Sequence, residues 1–256
     1  MKIRDIAREI KSFIITNYLK VKYKLQSNKS KIEIFDENIF RNKRIIIIGP
    51  AETSLTYLSG DEIDRFDYIV RVNKSPLSLE GKEKQIGSRT DILYHCFSED
   101  PIDGGGKIDF ELLEKQKNKY IIYSYAVPML ERIFFKTVLK YKQKIFYRVK
   151  SDFFNEIKKY YPAKQPTTGL QALIHLMNSE FKELHITGFT FFRTNYLSGY
   201  TTDEINNSEE SRKNQIEKFG AHSYDGELNL FKKYYFENKN KNIILDEFLS
   251  ELVKDK

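Results

Sequence analysis

Four consecutive isoleucines, at residues 45–48, run directly into Gly49 and Pro50. A short, wholly apolar run that ends in a tight turn is typical of a strand that is buried on both faces of a parallel sheet. Similar runs predict five more strands, at residues 67–72, 91–96, 119–125, 144–149 and 184–189. Such a sheet is stable only when helices cover both of its faces.

Helical patterns occur between and after these strands, at residues 110–116, 129–141, 152–160, 169–178, 226–236 and 245–254. The alternation predicts an α/β fold: a single-domain, Rossmann-like, mainly parallel sheet flanked by helices. A chain of 256 residues can bury the core of such a domain. The Gly-x-Gly-x-x-Gly fingerprint of dinucleotide-binding domains does not follow the first strand.

The first 30 residues form a separate predicted segment, a basic amphipathic helix with a linker, ahead of one domain at residues 31–256. Residues 1–24 contain seven Lys and Arg and only two acidic residues. Apolar side chains recur at helical spacing, at Ile3, Ile6, Ile10, Phe13 and Ile14. Two interpretations remain open: the helix makes peripheral contact with an anionic membrane, or it packs on its own domain.

The overall composition indicates a cytoplasmic protein with anionic partners. The formal net charge is +7, and one cysteine, Cys96, excludes an intramolecular disulfide. No run of 18 apolar residues and no signal peptide is visible, so we expect a cytoplasmic location, peripheral at the inner membrane face if the helix binds lipid. Nucleic acid is not the expected partner, because the charge is scattered and no RNA-recognition or zinc-finger pattern occurs.

Two turns are candidates for holding a ligand. Gly49 ends a strand, which is where α/β sheets commonly bind ligands. Thr167 or Thr168 is suited to cap the helix that begins near Gly169, where free backbone N–H groups and the helix dipole attract an anion. Each feature also has an ordinary structural interpretation, as a tight turn and as a plain N-cap.

The histidines differ in their sequence surroundings. His222 lies between a polar segment and a helix, where it could act as a general base, although the same residues also fit a turn and a helix start. His175 lies within an apolar helix, and we predict that it is a satisfied core histidine. The polar segment 193–215 precedes His222 and is predicted to be an irregular loop that covers the site as a lid.

No metal site is predicted. The chain has no Asp-x-Asp motif, its four histidines show no ligand spacing, and a single cysteine cannot build a zinc site. We therefore expect no metal ion and no cofactor.

In their order along the chain, these features resemble the sialyltransferases of glycosyltransferase family 29. The large sialylmotif is matched by the apolar strand ending at Gly49, by Arg71-Val72-Asn73-Lys74-Ser75-Pro76 and by Gly87-Ser88-Arg89-Thr90. The small motif is similar to Pro166-Thr167-Thr168-Gly169 with Thr187-Gly188-Phe189, and the very short motif, His-x4-Glu, to His222 and Glu227. The resemblance extends over roughly residues 44–227 and suggests a divergent, bacterial-type member.

The chain departs from the family pattern in three places. Pro50 stands where the large motif has an asparagine, which removes a side-chain contact to the nucleotide. The histidine of the third motif is absent, and Tyr196 or Tyr200 occupies the corresponding interval, so that a tyrosine hydroxyl could hold the phosphate instead. The disulfide of the animal enzymes cannot form with Cys96 alone.

The resemblance implies a GT-A-variant fold and a metal-independent, inverting transfer of sialic acid from a CMP-sugar donor to a hydroxyl of a glycan acceptor, in polysaccharide biosynthesis. His222 is the implied catalytic base. The implied nucleotide-binding residues are Gly49, Pro50, Ala51, Asn73, Thr167, Thr168, Gly169, Gly188, Phe189, Tyr196 and Tyr200. The alternatives are a CMP-Kdo-dependent transferase of capsule or lipopolysaccharide synthesis, a non-catalytic nucleotide-binding module and a nucleic-acid-binding protein.

Overall fold

The computed structural model describes residues 3–26, 31–125, 128–141, 143–162, 164–218, 220 and 222–254. Its strands are β1 (Lys31–Ile34), β2 (Arg44–Ile48), β3 (Tyr68–Val72), β4 (Ile92–Tyr94), β5 (Tyr120–Tyr123), β6 (Ile145–Arg148), β7 (Glu183–Thr187) and β8 (Ile243–Leu245). Its helices are α1 (Ile3–Gln26), α2 (Gly60–Ile63), α3 (Glu83–Ile86), α4 (Phe110–Lys115), α5 (Pro128–Lys140), α6 (Ser151–Tyr160), α7 (Thr168–Asn178), α8 (Asp203–Asn206), α9 (Glu209–Glu217), α10 (Tyr224–Glu237) and α11 (Glu247–Lys254).

The described strands form one parallel sheet in the order β1-β6-β5-β4-β3-β2-β7-β8. In the interior strand β2, Ile46 pairs with Ile69 of β3 on one side and with His185 of β7 on the other. All six predicted strands are present, and none of their ends is moved by more than two residues. The predicted parallel α/β sheet flanked by helices is confirmed.

The isoleucines of β2 are buried because both faces of the sheet are covered. Ile45 and Ile47 pack in the cluster that contains the apolar side of α7. Ile46 and Ile48 point to the other face and pack with Ile63 of α2. A strand with two covered faces has to be apolar at every position, which is what the sequence shows.

The sheet has a switch point between β2 and β7. From β2 the chain adds β3, β4, β5 and β6 towards one edge, and it then returns to place β7 on the other side of β2. The connections that leave β2 and β7 therefore diverge, and a crevice opens at the carboxyl ends of these two strands. The predicted site turns at residues 49–51 and 188–189 border this crevice.

The prediction of an irregular loop at residues 193–215 is wrong, because α8 and α9 occupy much of this segment. Helix α9 has almost no amphipathic character in its sequence, EESRKNQIE, so hydrophobic periodicity gave no signal for it. Its N-terminus is capped by Ser208, whose side chain accepts a hydrogen bond from the backbone N–H of Ser211.

The edges of the sheet were also not predicted. β1 and β8 are short strands, and the helix predicted at 245–254 begins at Glu247 because Leu245 ends β8. Asp246 caps α11 by accepting a hydrogen bond from Leu249 N at 2.8 Å. Three-residue and four-residue edge strands are too short for periodicity to separate them from loops.

Helix α1 packs along α5, through a face other than the predicted one. Ser12, Thr16 and Leu19 are buried, whereas Ile10 and Phe13 of the predicted apolar face are 55% and 59% exposed. Residues 27–30 of the predicted linker lie outside the described residues, and the division at residue 30 stays a prediction. Among the helices that the structure describes, none is long and apolar enough to cross a membrane.

Candidate active site

A cavity of about 550 Å³ opens at the switch point, at the carboxyl ends of β2, β3 and β7 and the N-terminus of α7. His222 lines it. Of the predicted nucleotide-binding residues, those that line the same cavity are Pro50, Ala51, Asn73, Thr167, Thr168, Gly169, Gly188, Phe189, Tyr196 and Tyr200. Residues that are far apart in the sequence thus meet in one place.

Gly49 is the predicted site residue that does not line the cavity. Its N–H donates to Thr187 O at 2.8 Å, and a Cβ at this position would lie 2.2 Å from the carbonyl oxygen of Gly188. Gly188 has a φ of +74° and equally leaves no room for a side chain against Gly49. The two glycines let the ends of β2 and β7 approach each other, so Gly49 shapes the crevice from behind.

Asn73 follows β3 in a left-handed conformation, with a φ of 48°, which asparagine tolerates better than most residues. Its Oδ1 accepts a hydrogen bond from Cys96 N at 3.1 Å, and its backbone N–H donates to Tyr94 O at 2.7 Å. The side-chain Nδ2 has no acceptor among the described residues. This amide is therefore available to donate to a ligand.

The N-terminus of α7 is capped by Thr167, whose Oγ1 accepts a hydrogen bond from Leu170 N at 3.3 Å. The backbone N–H groups of Thr168 and Gly169, in the first turn, have no partner among the described residues. The predicted N-cap is confirmed, and the two free N–H groups form a donor pair at the positive end of the helix dipole.

Glu227 joins α10 to this N-terminus. Its carboxylate accepts hydrogen bonds from the backbone N–H and the hydroxyl of Thr167, at 2.9 and 2.8 Å. The side chain is fully buried, and burial raises the pKa of Glu227 to about 8. At neutral pH the carboxyl group is therefore mainly protonated, and it adds little negative charge to the cavity.

His222 is held through one nitrogen only. Its Nδ1 lies 2.6 Å from Gln165 O, and because a carbonyl can only accept, Nδ1 carries the proton. Nε2 has no protein partner among the described residues and keeps its lone pair. Burial lowers the pKa of His222, and the side chain retains 26% exposure. The imidazole is thus neutral at physiological pH, with one basic nitrogen free.

Tyr196 and Tyr200 belong to a segment that is attached to the end of β2. Ala51 forms an antiparallel bridge with Tyr196, and the N–H of Leu197 donates to Pro50 O at 2.8 Å. Asn206 of α8 fixes Tyr196 further by bonding both its backbone N–H and its carbonyl oxygen. Pro50 therefore contributes a carbonyl oxygen that anchors the tyrosine segment.

The two tyrosine rings lie beside each other on the cavity wall, with their centres 5.0 Å apart. Neither hydroxyl has a hydrogen-bond partner among the described residues. Burial raises the pKa of Tyr196 and of Tyr200 well above the ordinary value of 10, so both remain protonated donors.

Two buried cations line the same wall, and neither is in contact with a described carboxylate. Lys74 donates to Pro101 O at 2.5 Å, and its Nζ lies 5.2 Å from the centre of the Tyr200 ring. Arg212 of α9 donates to the carbonyls of Phe192, Arg193 and Asn206 and to Asn195 Oδ1. Their positive charge makes the cavity attractive to anions.

Arg212 also holds a strained turn. Phe191 and Phe192 both have positive φ angles, of 50° and 69°, which bulky residues rarely adopt. The hydrogen bonds from Arg212 to the carbonyls of Phe192 and Arg193, at 2.8 and 3.1 Å, keep the turn in place. Removing this arginine would remove the hydrogen bonds that hold the turn at Phe192 and Arg193.

Helix α9 lines the cavity and contacts the glycine-rich loop at residues 98–106. Gln215 and Ile216 line the cavity, and Gln215 and Lys218 both donate to the carboxylate of Asp103 in that loop. The segment predicted as a lid contributes residues to the cavity lining, and much of it is helical. Whether it opens stays a prediction.

Several residues of the site were not selected from the sequence. Glu227 was part of the very short motif, and Lys74 lay within the large one, so a signal for both existed. Arg212 lies in a polar segment where nothing separates it from a surface arginine. Asp246 was predicted inside a helix, whereas its carboxylate accepts from Thr187 Oγ1 and Gly188 N at 2.9 Å and so supports the Gly188 turn.

Within the part of the chain that the structure describes, no three His, Cys, Asp or Glu side chains are grouped in a way that could hold a metal ion. Metal independence stays a prediction.

No protein-family model matches this chain, and no curated protein matches it. Its structure is similar to that of Cst-I, a monofunctional α-2,3-sialyltransferase from Campylobacter jejuni, with 14% identity and a TM-score of 0.52 over 83% of this chain and 78% of Cst-I. It is also similar to a mammalian sialyltransferase, with 18% identity and a TM-score of 0.49 over 80% of this chain and 68% of that one. A third similar structure is CstII from Campylobacter jejuni in complex with a CMP-sugar analogue, with 17% identity and a TM-score of 0.46 over 81% of this chain and 87% of CstII. The chain therefore has the fold of Cst-I, and the predicted GT-A-variant architecture is confirmed.

Proposed function

We propose that this chain is a glycosyltransferase that moves sialic acid from a CMP-linked donor to a hydroxyl group of a glycan acceptor. The cavity at the switch point is its active site, and His222 is the general base. The fold that the chain shares with Cst-I, itself a sialyltransferase, supports this assignment, as do the sialylmotif-like residues that meet in the cavity.

The observation that carries the proposal is the state of His222. A general base has to be neutral, has to be oriented and needs a free lone pair towards the substrate. Burial keeps His222 neutral, the hydrogen bond to Gln165 O at 2.6 Å orients it, and Nε2 is left free on a cavity wall.

The cavity also offers donors for a single phosphate group. The N–H groups of Thr168 and Gly169 and the hydroxyls of Tyr196 and Tyr200 line it without partners of their own among the described residues. A helix N-terminus with free N–H groups binds anions well, and neutral tyrosine hydroxyls add donors without needing a counter-ion. Asn73 and the Pro50-Ala51 turn would then contact the nucleoside part.

Charge favours the same ligand. A CMP-sialic acid donor carries two negative charges, one on the phosphate and one on the sugar carboxylate. Lys74 and Arg212 bring positive charge to the cavity without a contacting carboxylate, and burial raises the pKa of Glu227 to about 8, so this carboxyl group opposes an anion less than an ordinary glutamate would. Binding of a dianion would offset the cost of burying the two cations.

The reaction follows from these positions. The acceptor hydroxyl gives its proton to His222 Nε2 while its oxygen attacks the anomeric carbon of the donor. The bond between that carbon and the phosphate oxygen breaks, and CMP leaves with the bonding electrons, so that the configuration inverts. The tyrosine hydroxyls and the N–H groups of α7 stabilise the charge that develops on the departing phosphate, which in this proposal makes a metal ion unnecessary.

Thermal unfolding with nucleotides tests the donor site. CMP should raise the melting temperature more than UDP or GDP do, equally with and without EDTA, because a ligand of the folded state stabilises by mass action, about 2.7 kcal/mol at 100 times its Kd. Stabilisation by UDP with manganese and none by CMP would overturn the proposal.

Release of CMP from its sugar conjugates tests the reaction and the donor sugar. With lactose as a probe acceptor, the enzyme should release CMP from CMP-sialic acid faster than from CMP-Kdo. A faster reaction with CMP-Kdo would keep the mechanism and change the sugar. Tight CMP binding without release from either donor, even into water, would indicate a non-catalytic nucleotide-binding protein.

A further inference from the structure

The outer side of helix α1 carries an apolar stripe that is open to solvent. The stripe consists of Ile10, Ile14, Tyr18, Val21 and Leu25, each between 55% and 82% exposed. At about 100° of rotation per residue, these five side chains fall within an arc of about 80° on one side of the helix. A contiguous exposed apolar surface of this kind marks an interaction site.

The packing of α1 fixes the stripe in an outward position. On the opposite side Leu19 is buried in a cluster with α5, and Lys20 pairs with Glu131 of α5 at 2.7 Å. Tyr23 accepts a hydrogen bond from the N–H of Ile32 in β1 at 2.9 Å. Rotation of the helix to bury the stripe would break all of these contacts.

The charges beside the stripe indicate what covers it. Lys11 and Lys22 border it on one side and Lys24 on the other, and all three are exposed. Residues 10–25 contain no Asp or Glu. Apolar side chains between rows of lysine are typical of helices that lie in the interface of an anionic bilayer. A second copy of this helix would bring lysines together without carboxylates from residues 10–25 to pair them.

We propose that α1 docks this chain on an anionic membrane, with the stripe inserted at the boundary between headgroups and acyl chains and the flanking lysines on lipid phosphates. The predicted membrane contact is thereby assigned to a specific face, opposite the packed one. This docking is independent of the proposed transferase activity.

Helix α5 lies between α1 and the cavity, so the proposed docking would bring the cavity close to the membrane. Leu130 and Ile133 of α5 line the cavity, while Glu131 and Phe135 of the same helix contact Lys20 and Tyr23 of α1. One helix layer, roughly 10 Å thick, thus separates the cavity from the lipid-facing helix. If the proposed function holds, the acceptor class that fits is a glycan carried on a lipid.

Co-sedimentation of the full chain with vesicles tests the docking. We expect binding to phosphatidylglycerol–phosphatidylcholine vesicles at low salt, weakening with added salt, and little binding to pure phosphatidylcholine. The triple variant Ile14→Gln, Val21→Gln, Leu25→Gln should bind at least roughly tenfold more weakly. Lys11→Gln with Lys22→Gln should weaken binding by roughly tenfold and reduce its salt dependence.

A matched control replaces exposed apolar residues elsewhere: Ile34→Gln, Tyr160→Gln and Phe236→Gln, which are 58%, 51% and 52% exposed. This variant should bind vesicles like the wild type, and all variants should keep the wild-type melting temperature. Absence of vesicle binding by the wild type, or equal loss in the control and the stripe variant, would overturn the proposal. A dimer in light scattering that the stripe variant alone dissociates, without vesicle binding, would assign the face to a second copy instead.

Discussion

The two ends of helix α7 each lie near a histidine, and the protein uses these two histidines differently. His175, in the helix itself, is 3% exposed and has both ring nitrogens engaged, Nδ1 with the hydroxyl of Tyr94 at 2.5 Å and Nε2 with Glu37 at 3.2 Å. His222, beside the N-terminus, has only Nδ1 engaged. The prediction that His175 is a satisfied core histidine is confirmed.

The difference teaches that free hydrogen-bonding capacity, more than residue type, separates the proposed general base from a structural histidine. His95 and His185 agree with this rule. The nitrogens of His95 contact the carbonyl of Gly105 and the N–H of Phe97, and those of His185 contact Tyr57 and Glu183. Of the four histidines, His222 alone keeps a nitrogen without a partner among the described residues.

The largest effect is expected for His222→Ala. Transfer should fall by a factor on the order of 100 to 10,000, which is the range that a positioned general base contributes. CMP affinity, measured by calorimetry, should barely change, because the free Nε2 is assigned to the acceptor. Near wild-type turnover in this variant would remove His222 from the mechanism. The proposed difference in role between His222 and His175 would then no longer hold.

The pH dependence of the wild-type transfer rate also tests the assignment of His222 as the general base. Because burial lowers the pKa of His222, the rate should stay high below pH 6.5 and fall only when the pH approaches the lowered pKa and the imidazole becomes protonated. The acid limb should be absent in the residual activity of His222→Ala. An acid limb that persists unchanged in the variant would assign the titration to another group.

Tyr196→Phe and Tyr200→Phe should each lower transfer by roughly 10- to 100-fold, because a hydrogen bond to a charged group contributes about 1.5–3 kcal/mol. The rings and their packing are retained, so the melting temperature should not change. Tyr160→Phe, at an exposed position outside the cavity, is the control and should leave the rate unaltered. If neither cavity variant lowers the rate, the phosphate is held by other donors.

His175→Ala should affect stability and spare the chemistry. The variant leaves the buried hydroxyl of Tyr94 without its partner, and we expect a loss of about 1–3 kcal/mol in the free energy of unfolding, measured with urea. The remaining folded enzyme should turn over at the wild-type rate. A selective loss of kcat with unchanged stability would place His175 in the mechanism.

The last prediction concerns Glu227 and the pH dependence of stability. Its pKa is about 8 in the folded protein and 4.5 ordinarily, so between these values the folded state binds more protons than the unfolded state. The stabilisation is complete below pH 4.5 and is lost as the pH rises through 8. The wild-type melting temperature should therefore fall from pH 5 to pH 8 more steeply than that of Glu227→Gln.

Glu114→Gln, at an exposed position on α4, is the control for this experiment. Its melting temperature should fall with pH as steeply as that of the wild type. If the melting temperatures of the wild type and of Glu227→Gln change with pH in parallel, the carboxyl group of Glu227 is ionised over the whole range from pH 5 to pH 8.

Most of the sheet could be predicted because it depends on local sequence, whereas the residues that line the cavity were named mainly through the resemblance of the motifs. An apolar run such as residues 45–48 indicates a buried strand regardless of its neighbours. The cap at Thr167 and the turn at Gly188 likewise follow from residue type. Helix α9, by contrast, has no apolar face to indicate it, and its position depends on Arg212 bonding carbonyls about 20 residues earlier.

The sequence by itself determined the parallel sheet and the turns at its carboxyl edge, and it named many of the residues that line the cavity there, although not Lys74 or Arg212. Only the tertiary structure decided which of their polar groups remain free, and which side of α1 faces outward. The physical reason is that burial pattern is a local property of a segment. A lone pair or an apolar stripe, however, is free or engaged according to partners far along the chain, as Gln165 O is for His222, 57 residues away.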